Sequence, residues 1–261
     1  MLIDQVCDAL RPAAAGHTVA DVRIGLGYTG ALLDNGRCGL AYTFRQDTGP
    51  GCCVLTEAGS LSGKPATELA EGAHARNLIV AAVGLATLNA LAPPAPESAG
   101  DILDILSVGP ADAVGMVGFF GPLVEPLKRM AKTLHIIEQR EDLGPRVLPQ
   151  GSSPHVLPDC QVVIITGTAL LNRTLDGILD SCRGAREIAI LGPSTPLLPE
   201  VFAARGVTLL SGIEVIDSRR ALRVISEGGG TRQLLDAIRK VSLRIQSKTV
   251  GSATEPSAAA V

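Results

Sequence analysis

A chain of 261 residues, 46% apolar and 19% charged, carries enough apolar side chain to bury a core in one large domain or two small ones. With no Trp, two Tyr and four Phe, that core has to be built from Leu, Val, Ile and Ala. A net charge of −3 supplies no basic field for phosphate backbones, which weighs against a nucleic-acid binder.

The opening residues "MLIDQVCDALRP" lack the basic, apolar and cleavage regions of a signal peptide, and "IDQVCDALRPAA" has helical spacing. Six cysteines (Cys7, Cys38, Cys52, Cys53, Cys160, Cys182) without a secretion signal point to reduced thiols in the cytoplasm. "TVADVRIGL" and "CGLAYTF" alternate like half-buried antiparallel strands, and the segment between them contains the turn pair Asn35-Gly36. Helices follow at about 65–72 and 76–91, with Pro65 as a first helical residue. The second, "LIVAAVGLATLNALA", is the most apolar segment. It is too short to cross a bilayer comfortably and holds a Thr and an Asn, so it reads as a buried helix and no membrane partner is expected. Residues 1–94 thus read as a small α+β unit.

"LAPPAPESAG", from Leu91 to Gly100, can continue neither a helix nor a central strand and marks a linker. Beyond it, "AVGMVGF", "LHIIEQR", "CQVVIITG", "EIAILGPS" and "VTLLSGIEVID" are short apolar runs. Helix-compatible segments at Pro122–Lys132, Thr174–Cys182 and Pro196–Ala204 separate most of them. That alternation predicts a parallel sheet covered on both faces over residues 95–250, with ligands expected at the carboxyl ends of its strands. "EGGGT" at 227–231 reads as a glycine-rich loop before terminal helices, and residues 251–261 as a flexible tail.

The strand ends hold the candidate site. "VGMVGFFGP" spaces Gly115, Gly118 and Gly121 as G-x-x-G-x-x-G and puts Phe120 where a dinucleotide loop needs its second glycine, so NAD and FAD are not expected. Gly118 and Phe119 face either a ligand or a tight strand–helix junction. Glu138 follows Gly118 by twenty residues, the place from which nucleotide-binding folds grip ribose hydroxyls, or it is an exposed strand-end carboxylate. "TGTALLNRT" brings Thr166, Gly167, Thr168, Asn172 and Thr174, and "GPSTP" brings Pro193, Ser194 and Thr195. Thr174 and Thr195 fit helix N-caps, which accounts for one threonine at each site and leaves Thr166, Thr168, Asn172 and Ser194 for a polar ligand. Asn172 carries the strongest case, because an amide offers both donors and an acceptor and Thr174 can already supply the cap. "SGIEVID" adds Gly212 and Asp217.

His17, His74, His135 and His155 have no metal-ligand spacing, and no C-x-x-C occurs; the vicinal Cys52-Cys53 pair is the one soft-metal candidate, against a structural role for both thiols. No tightly bound metal is expected. No G-x-S-x-G elbow points to a serine hydrolase.

"VGMVGFFGPLVEPLK", "IIEQRE", "DCQVVIITGTALLNRTLD", "ILGPSTPLLPEVF" and "GIEVID" occur in the order and spacing of a bacterial and archaeal family named Putative heavy-metal chelation, which the chain resembles over nearly its whole length. "IGLGYTGALL" and "SGKPATELAE" resemble the companion domain usually found ahead of it. The resemblance implies an α/β protein with an enolase N-terminal-like domain followed by a Rossmann-like domain partly similar to methyltransferases, and a site between them. Gly121 departs from the larger residue more usual there.

On that reading Tyr28, Thr29 and Lys64 of the first domain close over the strand ends. Glu138 and Asp217 serve as general acid or base in the condensation, hydrolysis or group transfer of a chelating, pterin-like or flavin-like molecule. The alternative is a non-catalytic binding protein for a metal–chelator complex. The expected partners are that small molecule or chelate and a second copy of the chain in a homodimer. S-adenosylmethionine stays open as a cofactor, since it offers a ribose to Glu138 and has no pyrophosphate, although no methyltransferase-type acidic glycine loop is present.

Overall fold

Helix α1 (Leu2–Ala14) forms where Leu2, Ile3, Val6, Cys7, Leu10 and Ala14 recur at a helical period and bury one stripe. The computed structural model describes residues 1–47, 54–95, 102–139 and 147–245. After α1 come β1 (Val19–Ile24), β2 (Tyr28–Leu33) and β3 (Cys38–Tyr42), an antiparallel sheet in that order. The Asn35-Gly36 turn closes the β2–β3 hairpin, with the Arg37 N–H donating to Asn35 Oδ1 at 3.0 Å and Gly36 N–H to the Leu33 carbonyl. Sequence alternation marks two strands here, whereas the structure has three. "YTGALL" hides itself because it is buried on both faces, and a doubly covered strand loses its polar–apolar alternation.

Helices α2 (Ala66–Glu71) and α3 (Leu78–Leu91) complete this unit, with Pro65 at the cap position of α2 rather than inside the helix. Asn77 caps α3, its Oδ1 accepting from the N–H groups of Ile79 at 2.9 Å and Val80 at 3.3 Å. α3 is apolar nearly all round because it is buried nearly all round, between β2 and β3 on one side and the second unit on the other. Among the described residues no helix is long and apolar enough to cross a membrane.

The second unit opens with α4 (Ile102–Ile105) and builds a seven-stranded sheet. Its elements are β4 (Ala113–Val117), α5 (Gly121–Met130), β5 (Thr133–Glu138), β6 (Val147–Pro149), α6 (Ser153–Val156) and β7 (Val162–Thr166). They continue as α7 (Thr168–Leu171), α8 (Leu175–Asp180), β8 (Glu187–Leu191), α9 (Pro199–Ala203), β9 (Leu209–Val215), α10 (Ser218–Ser226), α11 (Thr231–Leu234) and β10 (Ile238–Arg244). The strand order is β10-β9-β8-β7-β4-β5-β6, parallel throughout except that β10 runs antiparallel to β9. The fold class is α/β, as expected.

Three expectations need correction. The segment after "EGGGT" holds no long terminal helix: α10 precedes the loop, and α11 with a 3₁₀ turn at Leu235–Ala237 leads straight into edge strand β10. Its inward residues Ile238, Val241 and Ser242 match neither a helical nor a strict strand period, so the pattern misleads. The helix expected from Pro196 starts only at Pro199, since a residue before proline is pushed out of helical geometry and Leu198 sits at φ −123°, ψ 76°. The sheet also gains the short β6.

One face of the large sheet merges with the first unit in a single core that includes Leu2, Val6, Leu85, Val163 and Ile165. The other face packs Met116, Leu127, Ile164 and Leu209 together. α10 then reaches back, setting Leu222 and Ile225 against Tyr28 and Leu40. The small sheet is therefore held between its own α3 and the second unit's α10.

Candidate functional site

β4 and β7 are neighbours, so Gly118 and Thr166 meet at their carboxyl ends. Gly118, at φ 94°, lies so close that a Cβ there would stand 2.8 Å from Thr166 Cβ. The hydroxyls of Thr166 and Thr168 are 3.0 Å apart, and Thr168 N–H donates to Thr166 Oγ1 at 3.3 Å. Gly167 donates its N–H to the Leu191 carbonyl at 2.7 Å and sits against Thr195, whose Oγ1 is 2.5 Å from the Cβ position of Gly167. Pro193 belongs to the same β8–α9 connection, and Gly212 on β9 is buried beneath Leu197 and the Thr195 carbonyl. These residues do gather at one edge of the sheet.

Glu138, at the end of β5, accepts hydrogen bonds from the N–H groups of Phe119 at 3.0 Å and Gln139 at 2.7 Å. Its carboxylate therefore holds the glycine loop in shape. The physical reason against a dinucleotide also shifts. Phe120 packs into the core below, whereas the exposed Phe119 ring lies across Gly121, within 3.4 Å of its Cβ position, at the start of α5. With Pro122 in the first turn lacking an N–H and the Phe119 N–H committed to Glu138, the helix start offers little to a pyrophosphate. We expect calorimetry to detect no binding of NAD or FAD with a Kd below about 100 µM, and a micromolar isotherm would refute this use of the loop.

Other expected site residues have partners within the protein. Ser194 is 1% exposed, and its Oγ accepts the Tyr42 N–H at 2.8 Å, which ties the two units together. Asn172 Oδ1 accepts from Thr174 Oγ1 at 2.7 Å and Thr174 N–H at 3.3 Å, bracing a turn in which Arg173 sits at φ 60°. Thr174 accordingly makes no side-chain cap bond to α8, and Thr195 lies too far ahead of α9 to cap it. Asp217 does cap its helix, its Oδ1 accepting from Arg220 N–H at 2.9 Å. Tyr28 Oη bonds Thr231 Oγ1 at 2.6 Å, and burial pushes its phenol pKa up. Thr29 is fully buried against the Thr43 hydroxyl at 2.9 Å. Lys64 pairs with Glu57 at 2.9 Å and Glu68 at 2.7 Å. It lies beside Val19, about 16 Å of strand away from Tyr28. Glu138 and Asp217 share an edge but stand four strands apart, about 19 Å, which is too far for one small substrate.

A cleft of about 180 Å³ opens between the units, where β9 runs on past the end of β8 and approaches β3. Arg37, Asn89, Pro193, Thr195 and Glu214 line it. Asn89 Nδ2 donates to the Leu40 carbonyl at 2.8 Å, while its Oδ1 is buried with no hydrogen-bond partner among the described residues. The Thr195 hydroxyl, on a side chain only 3% exposed, is likewise unpartnered. Burial would raise the Glu214 carboxyl, but hydrogen bonds from Arg239 and the Ala95 N–H, with the charges of Arg239 and Arg37, hold it below its ordinary pKa. Arg37, Asn89 and Glu214 escape a motif search. Asn89 had one visible signal, an amide in a helix whose other residues, Thr87 excepted, are apolar or glycine. Among the described residues no three His, Cys, Asp or Glu side chains gather as metal ligands; Cys52 and Cys53 lie outside the described residues.

The fold and these motifs define a two-part α/β protein with a cleft between its parts. The chain belongs to the family described as Putative heavy-metal chelation, one model of which matches residues 101–244 and a second, of the same description, residues 7–92. An uncharacterized protein of Methanocaldococcus jannaschii is 30% identical over 135 residues, 51% of this chain and 52% of that protein, so the chain spans about half the length of this curated relative. A crystal structure of a family member of unknown function from Pyrococcus horikoshii superposes with a TM-score of 0.81 at 23% identity, covering 94% of this chain and 100% of that one. One from Desulfitobacterium hafniense, also of unknown function, gives a TM-score of 0.75 at 26% identity, covering 92% and 98%.

Proposed function

We propose that this protein binds a metal chelate, or the free chelator, in the cleft between its two units and changes no bond in it. The observation that carries this reading is Asn89, which lines the cleft and whose Oδ1 is buried without a donor among the described residues. An unsatisfied buried acceptor costs about 1–3 kcal/mol, a cost that a bound ligand offering an N–H or O–H would remove. A metal ion fits here as cargo that brings its own ligands, because the described cleft residues supply one carboxylate, Glu214, and one thiol, Cys38, which burial pushes up to about 12 and so keeps protonated, with no imidazole. A condensing, hydrolysing or group-transferring enzyme is the weaker reading, since Glu138 and Asp217 are too far apart to act on one molecule and each already holds backbone N–H groups.

Native mass spectrometry of the full chain tests the proposal, using nickel, copper and zinc each supplied as the citrate and as the histidine complex. The expected adduct carries the mass of chelator plus metal, and the chelator is recovered unchanged. Adducts of bare metal alone, a chelator of altered mass, or no adduct with any complex would each overturn it.

A further inference from the structure

Resting on the cleft assignment above, we propose that the cleft selects ligands bearing both a free carboxylate and a protonated amine, an α-amino acid or an amino-carboxylate built from one. Three groups lining it set that requirement. Arg37 supplies a cation: its guanidinium bonds the neutral Ala92 carbonyl, and Glu214 acts on it through space rather than as an ion pair. A guanidinium has five N–H donors in a planar fork, so the carbonyl leaves most of them for a carboxylate. Glu214 supplies an anion, with Oε1 receiving the Ala95 N–H at 2.6 Å and Oε2 paired with Arg239. Asn89 supplies an acceptor whose orientation is settled, because its Nδ2 donates to the Leu40 carbonyl at 2.8 Å and a flipped amide would set two oxygens against each other. Its Oδ1, buried and unpartnered among the described residues, therefore requires a donor.

Other ligand classes meet only part of this pattern. A dicarboxylate suits Arg37 but faces Glu214 and leaves Asn89 Oδ1 without a donor. A diamine suits Glu214 and Asn89 but faces Arg37. A neutral polyol satisfies Asn89 but gives Arg37 no counter-charge, whereas Glu214 keeps Arg239. A zwitterion answers all three, the carboxylate on Arg37 and the ammonium shared between Asn89 Oδ1 and Glu214. The size agrees: the cleft holds about 180 Å³, and a cavity of about 150 Å³ is enough for a benzene-sized guest.

The test is calorimetric titration of the full chain with each of the common free L-amino acids, beside N-acetyl-L-alanine, L-alaninamide and citrate. At least one free amino acid should bind, and each blocked alanine should bind tenfold or more weakly than alanine itself. Arg37→Gln should weaken the bound amino acid at least tenfold while Arg37→Lys retains most of its affinity, with melting curves verifying that both variants fold. Equal binding of blocked and free forms, an Arg37→Gln variant that folds and binds normally, or no amino acid binding at about 10 mM would each overturn the proposal. If the metal–citrate complexes of the preceding experiment bind while amino acids do not, this inference falls and the cleft assignment stands. If neither class binds, both fall.

Discussion

Gly84→Ala is expected to destabilise the protein by about 3 kcal/mol or more, although alanine is the better helix former. In an exposed helix interior the exchange would gain about 1 kcal/mol from backbone entropy. Gly84 is at the middle of α3, where the helix presses on the turn through Gly72 and Ala73. A Cβ would stand 2.0 Å from Ala73 N, 2.6 Å from Gly72 C and 2.7 Å from Ala73 Cα. These are backbone atoms, so no rotamer change relieves the clash; α3 itself has to move. That helix is shared by the small sheet and the core joining both units, so displacement spreads to each, and overpacking costs of 1–3 kcal/mol or more apply. Gly177→Ala is the control, since Gly177 is also helical but nothing lies within 4 Å of its Cβ position, and it should be neutral or slightly stabilising. Urea unfolding of the two variants decides the matter. A Gly84→Ala midpoint equal to wild type would show that α3 has room that this packing denies.

How far such features can be read in advance depends on whether the cause is local. β7 is legible because Val162, Val163, Ile164 and Ile165 are all completely buried, and four branched apolar residues in a row suit a strand covered on both faces. The linker prolines act through neighbouring backbone and are equally plain; the cap at Asn77 is just as local in cause but is not among the expectations above. β10 is not, since it forms by pairing with β9 rather than by any pattern of its own. The same division runs through the site. Thr166, Gly167 and Thr168 converge with Gly118 because β4 and β7 are parallel neighbours in the sheet; the alternation of strands and helices implies that their carboxyl ends share one edge, and the strand order makes them adjacent. Ser194 is different: its partner is the Tyr42 N–H, 152 residues away, and nothing in "GPSTP" points there. Asn172 is a polar residue whose Oδ1 finds its partner two residues along, at Thr174, a local brace that its amide alone did not announce. Arg37, Asn89 and Glu214 meet only because α10 and the β9 extension fold the second unit onto the first, so the cleft belongs to tertiary structure alone.

A second large effect is expected at Asp112, which anchors the amino-terminal side of the sheet. The residue is 7% exposed, and its carboxylate accepts both terminal nitrogens of Arg186, at 2.8 and 2.7 Å, together with the Gly109 N–H at 2.6 Å. One side chain thereby fixes the turn entering β4 to the residue before β8. Asp112→Ala leaves the Gly109 N–H and the Arg186 fork without their acceptor. Breaking a buried pair from one side costs about 3–5 kcal/mol, and because Arg186 is 48% exposed and can rehydrate, the lower figure of about 3 kcal/mol applies. The contribution should also depend on pH in a defined direction. The Arg186 hydrogen bonds, then that from Gly109, hold the Asp112 carboxyl below its ordinary value in the folded state. A folded pKa below the unfolded value of about 3.9 means the stabilisation is complete above that value and disappears as pH falls through the folded one. The gap in unfolding free energy between wild type and Asp112→Ala should therefore be largest at neutral pH and shrink steadily as the pH is lowered from about 5 towards 2. Denaturant titrations across that range measure it directly. A gap that stays constant or widens in acid would show that Asp112 acts through shape rather than charge, and Asp112→Asn, which keeps the shape, would then match wild type at every pH.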